Sequence, residues 1–111
     1  MYRVGQLNRR IADKLQRWGE VLVEGEISDA THAGSGHVYF TLNDSVEAAQ
    51  IRCVMFQGDA KRTPAKLRND ERVRVRGAFD FYPPRGSFQL VVRVALPAGD
   101  GDRREAIERL K

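Results

Sequence analysis

One cysteine, Cys53, and two histidines, His32 and His37, are all that 111 residues offer as soft metal ligands. An internal disulfide is therefore excluded, and no four-ligand zinc set can be assembled. Cys53 reads as a small buried apolar residue. Long apolar runs are missing as well: none approaches the roughly 20 residues needed to span a bilayer. The opening MYRVGQLNRR lacks the apolar stretch of a signal peptide. The expectation is a cytoplasmic protein with no membrane partner. Repeats and low-complexity tracts are absent, and no Ser/His/Asp or Cys/His arrangement suggests a nucleophile. Glu24 and Glu26 share a strand face, where alternating acids are mostly surface charge. The GSGH stretch leads into a strand rather than a helix N-terminus, so it lacks the dipole of a phosphate loop.

What remains is an ordinary globular composition, with 41% hydrophobic and 31% charged residues. A chain of this length forms one domain and buries about two-thirds of its unfolded surface. The net charge of +4 is unevenly placed. Residues 1–49 carry 5 basic and 7 acidic side chains, 50–93 carry 10 and 4, and 94–111 carry 4 and 4. A polyanion site is therefore expected in the middle of the chain.

Leu7, Ile11, Leu15 and Trp18 recur at helical spacing and predict a helix over 5–17. From Glu20 the period becomes two. Val21, Val23, Gly25 and Ile27 alternate with Leu22, Glu24, Glu26 and Ser28 in a first strand, with Gly25 marking a bulge or bend. DATHAGSG reads as a loop. Val38, Phe40 and Leu42 then alternate with His37, Tyr39 and Thr41 in a second strand. In the third, Ile51, Cys53 and Met55 alternate with Gln50, Arg52, Val54 and Phe56. A polar connector follows, with one or two helical turns cut by Pro64. The fourth strand turns Val73, Val75, Gly77, Phe79 and Phe81 inward against Arg72, Arg74, Arg76 and Asp80. YPPRGS is a stiff turn that holds Arg85 at its tip. The fifth strand is expected to turn Phe88, Leu90, Val92, Val94 and Leu96 inward, and a second helix starts at Arg103.

Five strands with the connector between the third and fourth predict a mainly β fold, a five-stranded Greek-key barrel of the OB type. Open-sheet and SH3-like arrangements fit less well. The domain division reads as an N-terminal helix over 1–18, a barrel over 19–98, and over 99–111 a linker with the start of a helix. Ligands of OB barrels lie across the second and third strands between the flanking loops. That surface would collect His37, Tyr39, Thr41, Arg52 and Phe56, with His32 from one loop and Tyr82 and Arg85 from the other. Rings for stacking beside cations for phosphates suit single-stranded nucleic acid. Arg74 and Arg76 are candidate phosphate contacts from the fourth strand, although such a row is also an ordinary solvated face. For His32 and His37 a hydrogen-bonded loop role competes with a ligand contact.

Four ordered stretches, VGQLNRRI (4–11), VEGEIS (23–28), SGHVYFTLND (35–44) with QIRCVMF (50–56), and VRVRGAFDFYPPRGSFQLVV (73–92), resemble the N-terminal domain of exodeoxyribonuclease VII large subunits. The resemblance implies an OB-fold domain that binds single-stranded DNA for an enzyme that hydrolyses it to oligonucleotides. It further implies that catalysis resides in a following domain and that a helical region recruits small subunits. No catalytic residue, metal or cofactor is expected in this segment. The positions carried by the resemblance are Ser35, Gly36, His37, Tyr39, Phe40, Arg52, Phe56, Tyr82, Arg85 and Gly86. Asn43 stands where the family usually has lysine, and Gly5 where it has a helix-capping serine. The competing expectation is a docking or assembly module of the same nuclease, with the N-terminal helix as a dimer contact.

Overall fold

The computed structural model describes residues 1–98; the helix expected from Arg103 and the 99–111 segment lie outside them. A helix, α1 (Val4–Trp18), leads into five strands, β1 (Glu20–His32), β2 (Val38–Asn43), β3 (Gln50–Met55), β4 (Arg72–Tyr82) and β5 (Ser87–Pro97). A short helix, α2 (Gln57–Arg62), lies between β3 and β4. The strands close in the order β1-β2-β3-β5-β4, with β3 and β5 parallel and every other pair antiparallel. This is the closed OB-type barrel that the strand order predicts.

β1 serves two neighbours. Residues 20–26 pair with β4, and from Glu26 onward the strand pairs with β2. Gly25 sits at this change of partner, where a Cβ would stand 2.9 Å from the Asn43 carbonyl oxygen. Its missing side chain lets the two backbones cross. β1 also runs further than its composition suggests. Asp29 to His32, expected in a loop, continue the strand beyond a bulge in which Asp29 has a φ of 53°. Backbone pairing sustains this polar stretch. Thr31 and His32 pair with Tyr39 and Val38, and the Asn69 side-chain oxygen accepts from the Ala30 N–H at 2.9 Å.

Ile27, Val38, Phe40, Leu42, Cys53, Met55, Val73, Val75, Leu90, Val92 and Ala95 fill the barrel, and Ala65 and Leu67 join them from the connector. The connector is fixed by Ala65 N–H to the Ala95 carbonyl and by Thr63, whose hydroxyl exchanges hydrogen bonds with the Ala95 backbone. α2 ends before Thr63, the residue preceding Pro64, as the restriction on residues before proline requires.

Two expectations change in β5. A register shift opposite Arg76 and Gly77 pairs them with Val94 and Val92 and leaves Arg93 as the extra residue. A bulge reverses the alternation beyond it. Ala95 therefore points inward and is fully buried, while Val94 and Leu96, expected inside, face outward. In α1 the chain enters the helix at Arg3, whose N–H donates to the Gln6 side chain at 2.9 Å. Gly5 thus lies inside the first turn and is not the cap. Ile11 and Leu15 are half-buried, Trp18 stacks at 5.1 Å on Phe79, and the helix packs along β4.

Candidate nucleic-acid interface

The outward positions of β2 and β3 form the floor of the candidate site. Antiparallel register places Tyr39 opposite Val54 and Arg52 opposite Thr41. Period-two alternation brings Tyr39 and Arg52 to one face of the barrel, and Phe56, the extended residue between β3 and α2, continues it. Tyr39 is 39% and Phe56 45% exposed, enough ring surface for stacking. Thr41 differs from expectation. It is only 6% exposed, because its short side chain lies in a central strand between its partners Ser28 and Arg52.

The histidines are committed to holding loops. The Gln57 N–H donates to His37 Nδ1 at 3.0 Å, which leaves the neutral ring's proton on Nε2. The His37 ring also meets Phe56 edge-on at 5.2 Å, so it orients that aromatic. His32 Nε2 lies 2.7 Å from the Leu67 carbonyl oxygen and ties the end of β1 to the connector. Asn43 is similarly occupied, donating to the Ser28 hydroxyl at 2.7 Å and to the Glu26 carbonyl at 3.2 Å.

The wall of the site is the β4–β5 hairpin. Tyr82, 56% exposed, begins a tight turn in which the Gly86 N–H donates to its carbonyl at 2.9 Å. Gly86 has a φ of 64°, a left-handed conformation that glycine adopts without strain. Asn8 of α1 donates to the Pro83 carbonyl at 2.8 Å, so the helix braces the tip that carries Arg85. Between hairpin and floor lies a recess of about 340 Å³ lined by Arg52, Asp80, Tyr82, Arg85, Ser87, Phe88 and Gln89. Phe88, expected inside, touches Phe79 edge-on at 5.9 Å and leaves half its surface open. Sequence reasoning gave Asp80 its outward direction but assigned no role to it or to Gln89.

Half of the twelve arginines among the described residues face acids; Arg3, Arg9, Arg10 and Arg72 do not, and neither do the two that line this recess. Arg17, Arg62, Arg68, Arg74, Arg76 and Arg93 each lie within ion-pair distance of a carboxylate. Arg52 and Arg85 make no ion pair or side-chain hydrogen bond among the described residues. Arg74 and Arg76 are not brought to the groove. They face β1, where Glu24 meets Arg74 at 3.1 Å and Glu20 meets Arg76 at 3.7 Å. Together with Leu22, Val94 and Leu96 they line a separate, largely apolar depression.

Residues 2–95 match the family described as OB-fold nucleic acid binding domain. The chain is 47% identical over 109 residues to the exodeoxyribonuclease 7 large subunit of Azotobacter vinelandii, covering 97% of this chain and 24% of the relative. Against the corresponding protein of Sodalis glossinidius it is 39% identical over 112 residues, covering 100% of this chain and 24% of the relative. The chain thus spans about a quarter of the length of these relatives. Among solved structures, a replication protein A heterotrimer bound to ssDNA aligns with a TM-score of 0.59 at 18% identity, over 83% of this chain and 66% of that one. The dimeric N-terminal domain of PriB from Thermoanaerobacter tencongensis aligns with a TM-score of 0.52 at 14% identity, over 74% and 98%. At such identities these two likenesses speak for the barrel fold alone. The five-stranded closed barrel and a family match that runs from the first helix through β5 agree, and the chain belongs to the OB-fold nucleic acid binding domain family.

Proposed function

We propose that this domain binds single-stranded DNA across β2 and β3 and presents it to the nuclease part of an exodeoxyribonuclease VII large subunit. One observation carries the reading: Arg52 and Arg85, with no acid partner among the described residues, line one recess with the open rings of Tyr82 and Phe88, and the exposed rings of Tyr39 and Phe56 lie on the neighbouring β2–β3 surface. Phosphates would lie along the two free guanidinium groups, and bases would stack on the rings. His37 acts as a positioning residue that holds Phe56 and the start of α2. Hydrolysis would belong to the rest of the parent protein, with this domain contributing affinity and direction but no reacting group, metal or cofactor.

The test is fluorescence anisotropy of a labelled dT oligonucleotide titrated with this chain at two salt concentrations. The expected result is an affinity that falls steeply as salt rises, because phosphate contacts release counterions. Absence of binding at the lower salt concentration would overturn the reading.

A second role, docking, is favoured by the outward Leu22, Val94 and Leu96, which form an apolar strip rimmed by ion pairs. The occupant we assign is the remainder of the parent chain, three-quarters of which lies beyond this domain in the relatives. Docking would then use the face opposite in character to the groove. Of the α1 stripe, Ile11 and Leu15 are half-buried on the barrel while Leu7 and Trp18 stay exposed, so the helix keeps apolar surface for contact with a second copy or subunit.

A further inference from the structure

Asp80 is out of place in a groove for phosphates. It points outward from β4, opposite Gln89 and two residues before Tyr82, and lines the recess that holds Arg52 and Arg85. The acids Glu20, Glu24 and Asp59 each sit on an arginine. Asp80 has no ion pair or hydrogen bond among the described residues, although two unpaired guanidinium groups line the same recess. A lone carboxylate repels phosphate and lowers affinity for any polyanion. Its oxygens can only accept hydrogen bonds. The donors that single-stranded DNA offers to such a group are the amino and imino N–H groups on the base edges.

We propose that Asp80 reads the edge of a base seated against Tyr82, so that this domain discriminates among bases; the inference rests on the single-stranded DNA reading above. Guanine fits best, since its N1–H and N2 amino group lie side by side and match the two carboxylate oxygens. Cytosine and adenine each offer one amino group. Thymine offers a single imino N–H flanked by two carbonyl oxygens, which would face the carboxylate. Gln89, directly across the ladder, supplies an amide donor and acceptor beside it. Arg52 and Arg85 would hold the flanking phosphates, which turns the base edge toward Asp80. The order of preference is guanine, then cytosine and adenine, then thymine.

The experiment compares oligonucleotides of equal length, all dT, all dC, and alternating dG and dT, by competition anisotropy against the unaltered chain and Asp80→Asn. The unaltered chain should bind the dC and the dG-containing strands about fivefold or more tightly than dT, the scale of one good base-edge contact. In Asp80→Asn the dT affinity should rise as the like charge disappears, and the ratio should collapse toward one. The ratio is the deciding readout, because a purely electrostatic or structural role for Asp80 would change all three affinities together. Equal affinities in the unaltered chain, or a ratio unchanged in Asp80→Asn, would overturn the inference while leaving the groove intact. Failure of all three strands to bind would remove the groove and this inference together. Should Asp80→Asn lose its fold, Asp80→Ser carries the same comparison.

Discussion

The barrel presents two faces that both combine arginines with apolar or aromatic side chains, and they differ in what the arginines touch. On the β1–β4–β5 face, Arg74 and Arg76 lie against Glu24 and Glu20, and the apolar residues between them are aliphatic. On the groove face, Arg52 and Arg85 make no ion pair among the described residues, and the large side chains that line the recess with them are the rings of Tyr82 and Phe88. A count of basic residues favours β4, which carries three arginines in alternation. Pairing takes Arg74 and Arg76 out of that count and leaves Arg72. An arginine held by a neighbouring carboxylate presents little net charge to a polyanion, whereas an unpaired one keeps its full field and its donors.

Removing the rings breaks the contrast between the two faces most strongly. Tyr82→Ala and Tyr39→Ala should each weaken dT binding by about 1 to 3 kcal/mol, the range for loss of one base–aromatic stack, read as a shift in the anisotropy titration. Arg52→Ala and Arg85→Ala come next. Each should weaken binding several-fold and make the salt dependence shallower by about 0.7 in the log–log slope, one phosphate's worth on a single strand. The other face sharpens the contrast. Glu20→Gln with Glu24→Gln would release Arg74 and Arg76, and we expect a modest gain of salt-sensitive, base-independent affinity. The smallest effect belongs to Arg74→Ala and Arg76→Ala, which should leave DNA binding within about twofold and, as exposed pairs, shift unfolding stability by less than about 1 kcal/mol.

Cys53 distinguishes lost contacts from lost fold in all of these variants. It lies in the core of β3, next to Arg52, and burial pushes its thiol from an ordinary 9.0 up to about 12. A thiol reagent at pH 8 should therefore label it only in unfolded protein. The sign for stability follows. The thiol must stay neutral in the folded state, so its contribution is fully present below about pH 9 and is lost as pH rises toward 12. Urea unfolding midpoints above and below pH 9 check this.

Much of the groove was legible before the fold. Alternation alone put Tyr39 and Arg52 on outward faces, and the paired prolines marked Arg85 as the residue of a stiff tip. Other assignments failed for identifiable reasons. Thr41 keeps the right parity but is covered by its cross-strand neighbours. Val94 and Leu96 keep apolar character but change sides, because the Arg93 bulge inserts one residue into a period of two. Asp29 to His32 read as loop from composition, yet pairing with β2 makes them strand.

By itself the sequence determined the elements: one helical stripe, five alternating strands, a proline-stiffened hairpin, and an excess of positive charge in the middle of the chain. These follow from periodicity and turn chemistry, which act between residues close in the chain. Only the tertiary structure decided which arginines of the strands face an acid. That depends on which strand lies beside which, and in what register, so that Glu24 meets Arg74 across β1 and β4 while Arg52 meets an uncharged threonine across β2 and β3. Coulomb attraction acts over a few ångströms of space, regardless of distance along the chain, and barrel closure sets those few ångströms.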